Sequence, residues 1–287
     1  VVDAITRWYL EHARVLPWRA AGTDGWAVLV SEVMLQQTPV SRVRPAWEAW
    51  LAKWPTPAAM ARATPGEAVV MWDRLGYPRR ALRLREAAVA IVERHAGKVP
   101  DDIADLRALP GVGEYTAAAV ACFAYRQRHV VLDTNVRRVL ERVVGGTELP
   151  PSSLTRAERA RAEALLPPAA EATATWNVAA MELGALVCTS TNPRCGRCPV
   201  VASCAWVAAG RPTTGVPRKA QTYAGTDRQV RGRLLAVLRA AAPEPVSAAA
   251  LDGCWDEPIQ RARALDSLVA DGLVHPLPDA RYALPGR

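Results

Sequence analysis

Seventeen residues, CTSTNPRCGRCPVVASC at positions 188–204, hold four of the six cysteines in this 287-residue chain. Cys188, Cys195, Cys198 and Cys204 are spaced C-x6-C-x2-C-x5-C. Four soft thiolates this close bind zinc or an iron–sulfur cluster. Structural zinc usually sits between two C-x2-C knuckles, and only Cys195 and Cys198 form one. A disulfide framework does not suit the expected compartment. The opening VVDAITRWYLEHAR is amphipathic and charged, unlike a secretion signal, which points to the reducing cytoplasm. No apolar run approaches the roughly 18 residues of a membrane span, so none is expected. Cys122 and Cys254 stand alone and read as small core residues.

Apolar residues recur at helical spacing through most of the chain upstream of the Gly/Pro/Thr-rich stretch at 209–226, and strand-like alternation is nearly absent there. In VRPAWEAWLAKW, the residues Val43, Trp47, Trp50, Leu51 and Trp54 make one apolar stripe, the mark of a core-facing helix. The 209–226 stretch reads as a linker. Beyond it, VRGRLLAVLRAA is a predicted helix, Ser247 caps a short second one, and PIQRARALDSLVADG is a third that runs from Pro258 to Gly272. LVHPL and RYALP are predicted strands around Pro278, Asp279 and Ala280, so residues 227–287 have a winged-helix pattern, with Arg261 and Arg263 on its recognition helix.

The net charge is +8 with a pI near 9.5. Such an excess suits a nucleic-acid partner. The same charge is also what an Arg- and Ala-rich composition from a GC-rich genome produces, since only Lys53, Lys98 and Lys219 are lysines. Residues 221–287 carry eight arginines and eight acids, so the excess lies upstream.

LRALPGVGEYTAAAVACFAY at 106–125 ends one helix, turns through Pro-Gly-Val-Gly and starts another. This is a helix–hairpin–helix, a sequence-independent clamp for a DNA backbone. Gly111, Val112 and Gly113 form its tip, where small residues and a helix N-terminus favour a phosphate.

In order, LPWR (16–19), SEVMLQQT (31–38), RLGY (74–77), LPGVG (109–113), LDTNV (132–136), MELGALVC (181–188) and the cysteines resemble the helix–hairpin–helix DNA glycosylases, and most closely the MutY-type adenine DNA glycosylases. The likeness covers roughly residues 10–205. It implies a mainly α fold: an iron–sulfur cluster domain from 1–17 and 130–208, a six-helix domain at 18–129, and the small C-terminal domain after the linker. It implies a [4Fe–4S] cluster on Cys188, Cys195, Cys198 and Cys204. Glu32 and Asp133 would be catalytic, with Asn135 and the Tyr115 hydroxyl positioning Asp133. Arg14, Trp18, Arg19 and Glu182 would meet the flipped base, and Leu35, Gln37, Thr38 and Tyr77 the DNA around it. The implied partner is double-stranded DNA containing a mispair, bound by a monomer at the nucleoid.

The chemistry explains why two carboxylates are needed. Breaking the N-glycosidic bond to adenine leaves an anionic purine and a sugar with oxocarbenium character. One acid must protonate the base and one carboxylate must face the cation. Glu32, on a largely apolar helix, would be kept protonated by burial, while Asp133 must stay ionised. Lyase relatives place a lysine two positions after the second glycine of the hairpin. Here that position is Tyr115, so the expected enzyme is monofunctional.

Two features depart from the family pattern. Typical members carry a larger C-terminal domain that reads 8-oxoguanine, and Pro78 replaces the aromatic that often follows Tyr77. The expected function is excision of adenine opposite 8-oxoguanine or guanine. The alternatives are a relative that removes hypoxanthine, or thymine or uracil from G mispairs, and a non-catalytic iron–sulfur DNA binder.

Overall fold

The computed structural model describes residues 1–213 and 223–286. Half of the linker expected at 209–226, residues 214–222, lies outside the described residues. The helices in chain order are α1 (Val2–His12), α2 (Gly25–Leu35), α3 (Val40–Lys53), α4 (Pro57–Ala61), α5 (Pro65–Trp72), α6 (Arg79–Arg94), α7 (Ile103–Arg107) and α8 (Glu114–Tyr125). They continue with α9 (Thr134–Leu140), α10 (Arg156–Ala164), α11 (Ala170–Leu186), α12 (Ala205–Ala208) and α13 (Asp227–Ala241). The C-terminal region adds strand β1 (Val246–Ser247), helices α14 (Ala248–Asp252) and α15 (Pro258–Ala270), and strands β2 (His275–Leu277) and β3 (Arg281–Ala283). No described helix is long and apolar enough to cross a membrane.

Backbone contacts divide the chain into two compact units. One contains Val1–Val28, Asp101–Arg107 and Gly113–Arg218; the other contains Leu29–Pro100, Ala108–Val112 and Lys219–Arg287. In the first, α1, α9 and α11 bury one another's apolar stripes. Ile5, Val136, Val139, Leu140, Trp176 and Leu183 form that core, and Trp206 of α12 joins it. A smaller cluster joins the alanine-rich face of α8 to Val131 and Ala174, with Cys122 fully buried inside it, as the sequence leads one to expect.

In the second unit, α3 carries the tryptophan stripe inward. Val43, Trp47, Trp50 and Trp54 are buried, and Trp50 meets both Trp54 and Trp72 edge-on. Such aromatic contacts add about 0.5–1.5 kcal/mol each beyond their buried area. The C-terminal region folds as the sequence pattern leads one to expect. Ser247 caps α14 by accepting from the Ala250 N–H, and Pro258 opens α15 behind a Glu257 carboxylate that accepts from Ile259 and Gln260. The sheet order is β1-β3-β2, antiparallel throughout, and β2 turns into β3 through left-handed Asp279 and Ala280. This region packs on α5: Val69 is buried among Val230, Leu234, Leu235 and Leu268, and Cys254 lies in the same cluster. Arg239 Nε donates to the Val69 carbonyl at 2.9 Å and the Gly66 N–H donates to the Pro285 carbonyl at 2.7 Å.

The hairpin forms between α7 and α8. The Val112 N–H donates to the Leu109 carbonyl, and Gly111 adopts φ 76°. A Cβ on Gly111 would lie 2.7 Å from the Arg83 Cβ of α6, so this glycine is required by packing as well as by its backbone. Gly113 is different: it is extended, and a Cβ there would meet no atom within 4 Å. Gly111→Ala should therefore lower stability by about 2 kcal/mol or more, combining left-handed strain with overpacking. Gly113→Ala should stay within about 0.5 kcal/mol of the parent. Urea unfolding midpoints of the two variants test this; equal losses would contradict it.

Candidate functional site

In the first unit, Asp133 caps α9. Its Oδ1 accepts from the Val136 N–H at 2.6 Å, and its Oδ2 accepts from Asn135 Nδ2 at 2.7 Å. Burial pushes the Asp133 carboxyl above the usual aspartate range, against the pull of those two hydrogen bonds. Asn135 is itself held, because Arg138 Nη2 donates to its Oδ1 at 2.8 Å. The same guanidinium donates to the Gly184 carbonyl at 2.7 Å and the Cys188 carbonyl at 2.7 Å. Gly184 explains the glycine of MELGALVC: a Cβ there would lie 2.7 Å from the Asn135 Cβ. Tyr115, in the first turn of α8, packs against the cluster containing Cys122 and Val131.

Three further predicted residues converge in this unit. Glu182 is fully buried; Arg14 donates to it through its backbone N–H, Nε and Nη2, and Arg19 donates through Nη1 at 2.9 Å. Burial alone would raise the Glu182 carboxyl, but the hydrogen bonds from Arg14 and the charge of Arg19 outweigh it and hold it below the usual range. Trp18, between those arginines in sequence, is 6 % exposed. Glu182 thus anchors the two arginines, which keep part of their surface exposed.

The four predicted cysteines line one pocket, whose walls include Leu183, Val187, Val201 and Trp206. Arg142 lies 4.7 Å from the Trp206 ring and donates to Cys188 Sγ at 3.5 Å and to the Thr189 carbonyl at 2.7 Å. Burial pushes the Cys198 thiol up to about 11 and raises Cys188 as well. Among the described residues, no group of three or more His, Cys, Asp or Glu is arranged to hold a single metal ion.

In the second unit, Glu32 lies on α2 and is 7 % exposed. The segment after it is organised by Arg80, a residue that sequence reasoning passed over. Arg80 Nη1 donates to the carbonyls of Val33, Met34 and Gln36 at 2.8, 3.1 and 2.6 Å. Its Nη2 donates to Thr38 Oγ1 and to the Gly76 carbonyl, each at 3.0 Å. Burial lowers its pKa to about 10, which leaves it charged near neutrality. One half-buried guanidinium therefore satisfies the orphan carbonyls at the end of α2 and joins them to the turn before α6. Two predicted DNA contacts are exposed on this frame in left-handed backbone: Gln37 at φ 56° and Tyr77 at φ 47°. Leu35 is half-buried. Thr38 is buried, and its hydroxyl donates to the Leu75 carbonyl, so it shapes the loop from within.

The description "HhH-GPD superfamily base excision DNA repair protein" matches residues 30–163. An adenine DNA glycosylase of Mycolicibacterium smegmatis is 53% identical over 280 residues, which is 97% of this chain and 94% of that protein. The chain belongs to the MutY-type adenine DNA glycosylase family. The human adenine DNA glycosylase is 42% identical over 210 residues, 70% of this chain and 38% of its own length. A solved thermostable thymine-DNA glycosylase superposes with a TM-score of 0.66 at 26% identity, covering 72% of this chain and 95% of that one. The likeness to the mycobacterial adenine glycosylase spans nearly the whole chain, whereas the human one matches a shorter stretch.

Arg80, Arg138 and Arg142 escaped the sequence reading because a helical arginine usually reads as a solvated charge. A signal existed: Arg80 stands one turn before Leu84 on the stripe that continues through Ala87, Ala88 and Ile91. Gly184→Ala tests the α9–α11 approach. It should destabilise by about 1–3 kcal/mol and slow base release, because Asn135 must move. Unchanged thermal unfolding with unchanged single-turnover rates would show that α11 yields at this point.

Proposed function

We propose that the protein is a monofunctional DNA glycosylase of base excision repair that excises adenine opposite 8-oxoguanine or guanine. The observation that carries this is the nearly end-to-end likeness to a relative named adenine DNA glycosylase. Glu32 is the general acid: it donates a proton to the adenine ring as the bond from C1′ to the base breaks and its electron pair leaves with the base. Asp133, held by Asn135 and the α9 N-terminus, faces the developing positive charge at C1′. Water then adds to C1′ and loses a proton, leaving an abasic site. Tyr115 helps to position Asp133 and has no amine to form a Schiff base. Arg14 and Arg19, anchored on Glu182, and Trp18 contact the flipped base, which must leave the stack to be cut. Leu35, Gln37, Thr38 and Tyr77 shape the surface at the vacated stack, and Gly111, Val112 and Gly113 receive a backbone phosphate.

Cys188, Cys195, Cys198 and Cys204 hold a [4Fe–4S] cluster, and the donor set fits it. Four thiols and no carboxylate line the pocket, and soft thiolates are the donors that such a cluster takes. The bound cluster would pin the 188–204 loop to the end of α11. The working form is a monomer on duplex DNA in the cytoplasm. A second reading, removal of mispaired thymine, draws on the superposition with the thymine-DNA glycosylase.

Glu32→Gln should lower single-turnover base release by about 10²–10⁴-fold while DNA binding persists. Asp133→Asn should be comparably severe. Because Asp133 works ionised and burial raises its pKa, the parent's rate should fall on acidification at a higher pH than an exposed aspartate would dictate. Wild-type rates in either variant would refute the two-carboxylate assignment.

A panel of mispairs tests substrate choice. Adenine should be released opposite 8-oxoguanine and guanine, leaving strands intact until alkali or heat is applied. Release of mispaired thymine with no adenine would promote the second reading. Borohydride trapping in yields that match base removal would exclude the monofunctional mechanism.

A further inference from the structure

Tyr77, in the turn before α6, presents an exposed aromatic ring, at 45 % exposure. Its backbone is left-handed, as are Asp73 and Gly76 in the same turn, at φ 42° and 83°. Left-handed conformations outside glycine cost of order 1–3 kcal/mol and persist where surroundings over-determine them. Here those surroundings are visible. Trp72 Nε1 and Arg80 Nη2 both donate to the Gly76 carbonyl, and the Arg80 guanidinium lies 5.6 Å from the Tyr77 ring.

A second guanidinium reaches the same ring from the C-terminal domain. Arg228 is in the first turn of α13, 5.5 Å from the ring centroid, and its Nη2 donates to the Tyr77 hydroxyl at 3.3 Å. Arg228 is exposed, but the helix that carries it is firmly seated. Val230, Leu234, Leu235 and Leu238 are buried in the shared core. Arg231 pairs with Asp271 at 2.6 Å, and Asp271 also pairs with Arg79, two residues after Tyr77, at 3.2 Å. On α15, Arg261 pairs with Asp252 and Arg263 with Asp227.

We propose that the C-terminal domain is part of the DNA interface, through Arg228, which steadies the Tyr77 ring and donates to an acceptor oxygen or nitrogen of the DNA beside it. The proposal rests on the reading of Tyr77 as a DNA contact. A guanidinium presents five donors in a planar fork, which suits a phosphate or the acceptor edge of a purine. Because it bonds to the far end of the ring, it accompanies the part of Tyr77 that reaches furthest from the turn. Arg228 is therefore a candidate determinant of opposite-base preference, supplied by a domain whose own net charge is near zero.

The test uses the full chain and a duplex with a non-hydrolysable adenine nucleotide opposite 8-oxoguanine, guanine or thymine. Arg228→Ala, Arg228→Lys, Tyr77→Ala and the Arg228→Ala/Tyr77→Ala double variant are compared by anisotropy across a salt series. Arg228→Ala should weaken binding about tenfold, with Arg228→Lys between it and the parent. In the Tyr77→Ala background the added loss should be smaller, because the two residues act together. A phosphate contact would show as a loss uniform across opposite bases, with the salt slope reduced by about one. A base-edge contact would show as a loss that depends on the opposite base. Either supports the proposal. Parent-like binding by Arg228→Ala beside a weakened Tyr77→Ala would overturn the role of Arg228 alone. Parent-like binding by both single variants would overturn the proposal together with the DNA reading of Tyr77. Urea midpoints, expected to be unchanged for the exposed Arg228, keep a folding defect apart from either result.

Discussion

A guanidinium drawn partly out of water seeks acceptors, and a helix end inside a protein must find donors. Much of the irregular structure here is the mutual solution of those two demands. Arg80 gathers three carbonyls from the end of α2, the Thr38 hydroxyl and the Gly76 carbonyl. Arg138 gathers carbonyls from Gly184 and Cys188 and the side chain of Asn135. A hydrogen bond to a charged group is typically worth about 1.5–3 kcal/mol, less where water reaches it. Their geometric effect matters as much. Segments without secondary structure acquire fixed positions because one planar fork allows only one arrangement of its acceptors.

That constraint fixes the residues proposed for the site. Gln37 and Tyr77 occupy backbone conformations that no isolated loop would favour, and both flank the Arg80 fork. Asp133 is exact in position because three things fix it: the α9 N-terminus, the Asn135 amide, and the absence of a side chain at Gly184. The cysteine loop is tied down likewise by Arg142, which bonds to the Thr189 carbonyl and to Cys188 Sγ. Rigid placement of this kind is what a site needs when it must hold a base outside its stack.

Periodicity and spacing made most of the fold legible. The tryptophan stripe of α3 is core because Trp50 and Trp54 recur one turn apart, and the C-terminal helices announce themselves through Ser247, Pro258 and Gly272. The cysteines, Asp133 and Glu182 were legible as motif members. What the sequence conceals is the direction in which a polar side chain points. Thr38 looks like a surface contact and is buried; Gly111 looks like a concession to phosphate and also makes room for Arg83. Arg261 and Arg263 look free to bind and are already paired. Helical arginines can face water or core at the same sequence position, and only tertiary packing decides.

The seating of Val69 among the leucines of α13 and α15 has a bearing on how such chains diverge. A descendant that discarded the last sixty or so positions would bare an apolar patch on α5, along with the backbone carbonyl now capped by Arg239. Loss of the tail would thus have to be accompanied by polar replacements at Val69 and Leu82, or by another segment laid over the same ground. Lineages exchanging one C-terminal domain for another should bear the mark of that exchange on α5 and α6.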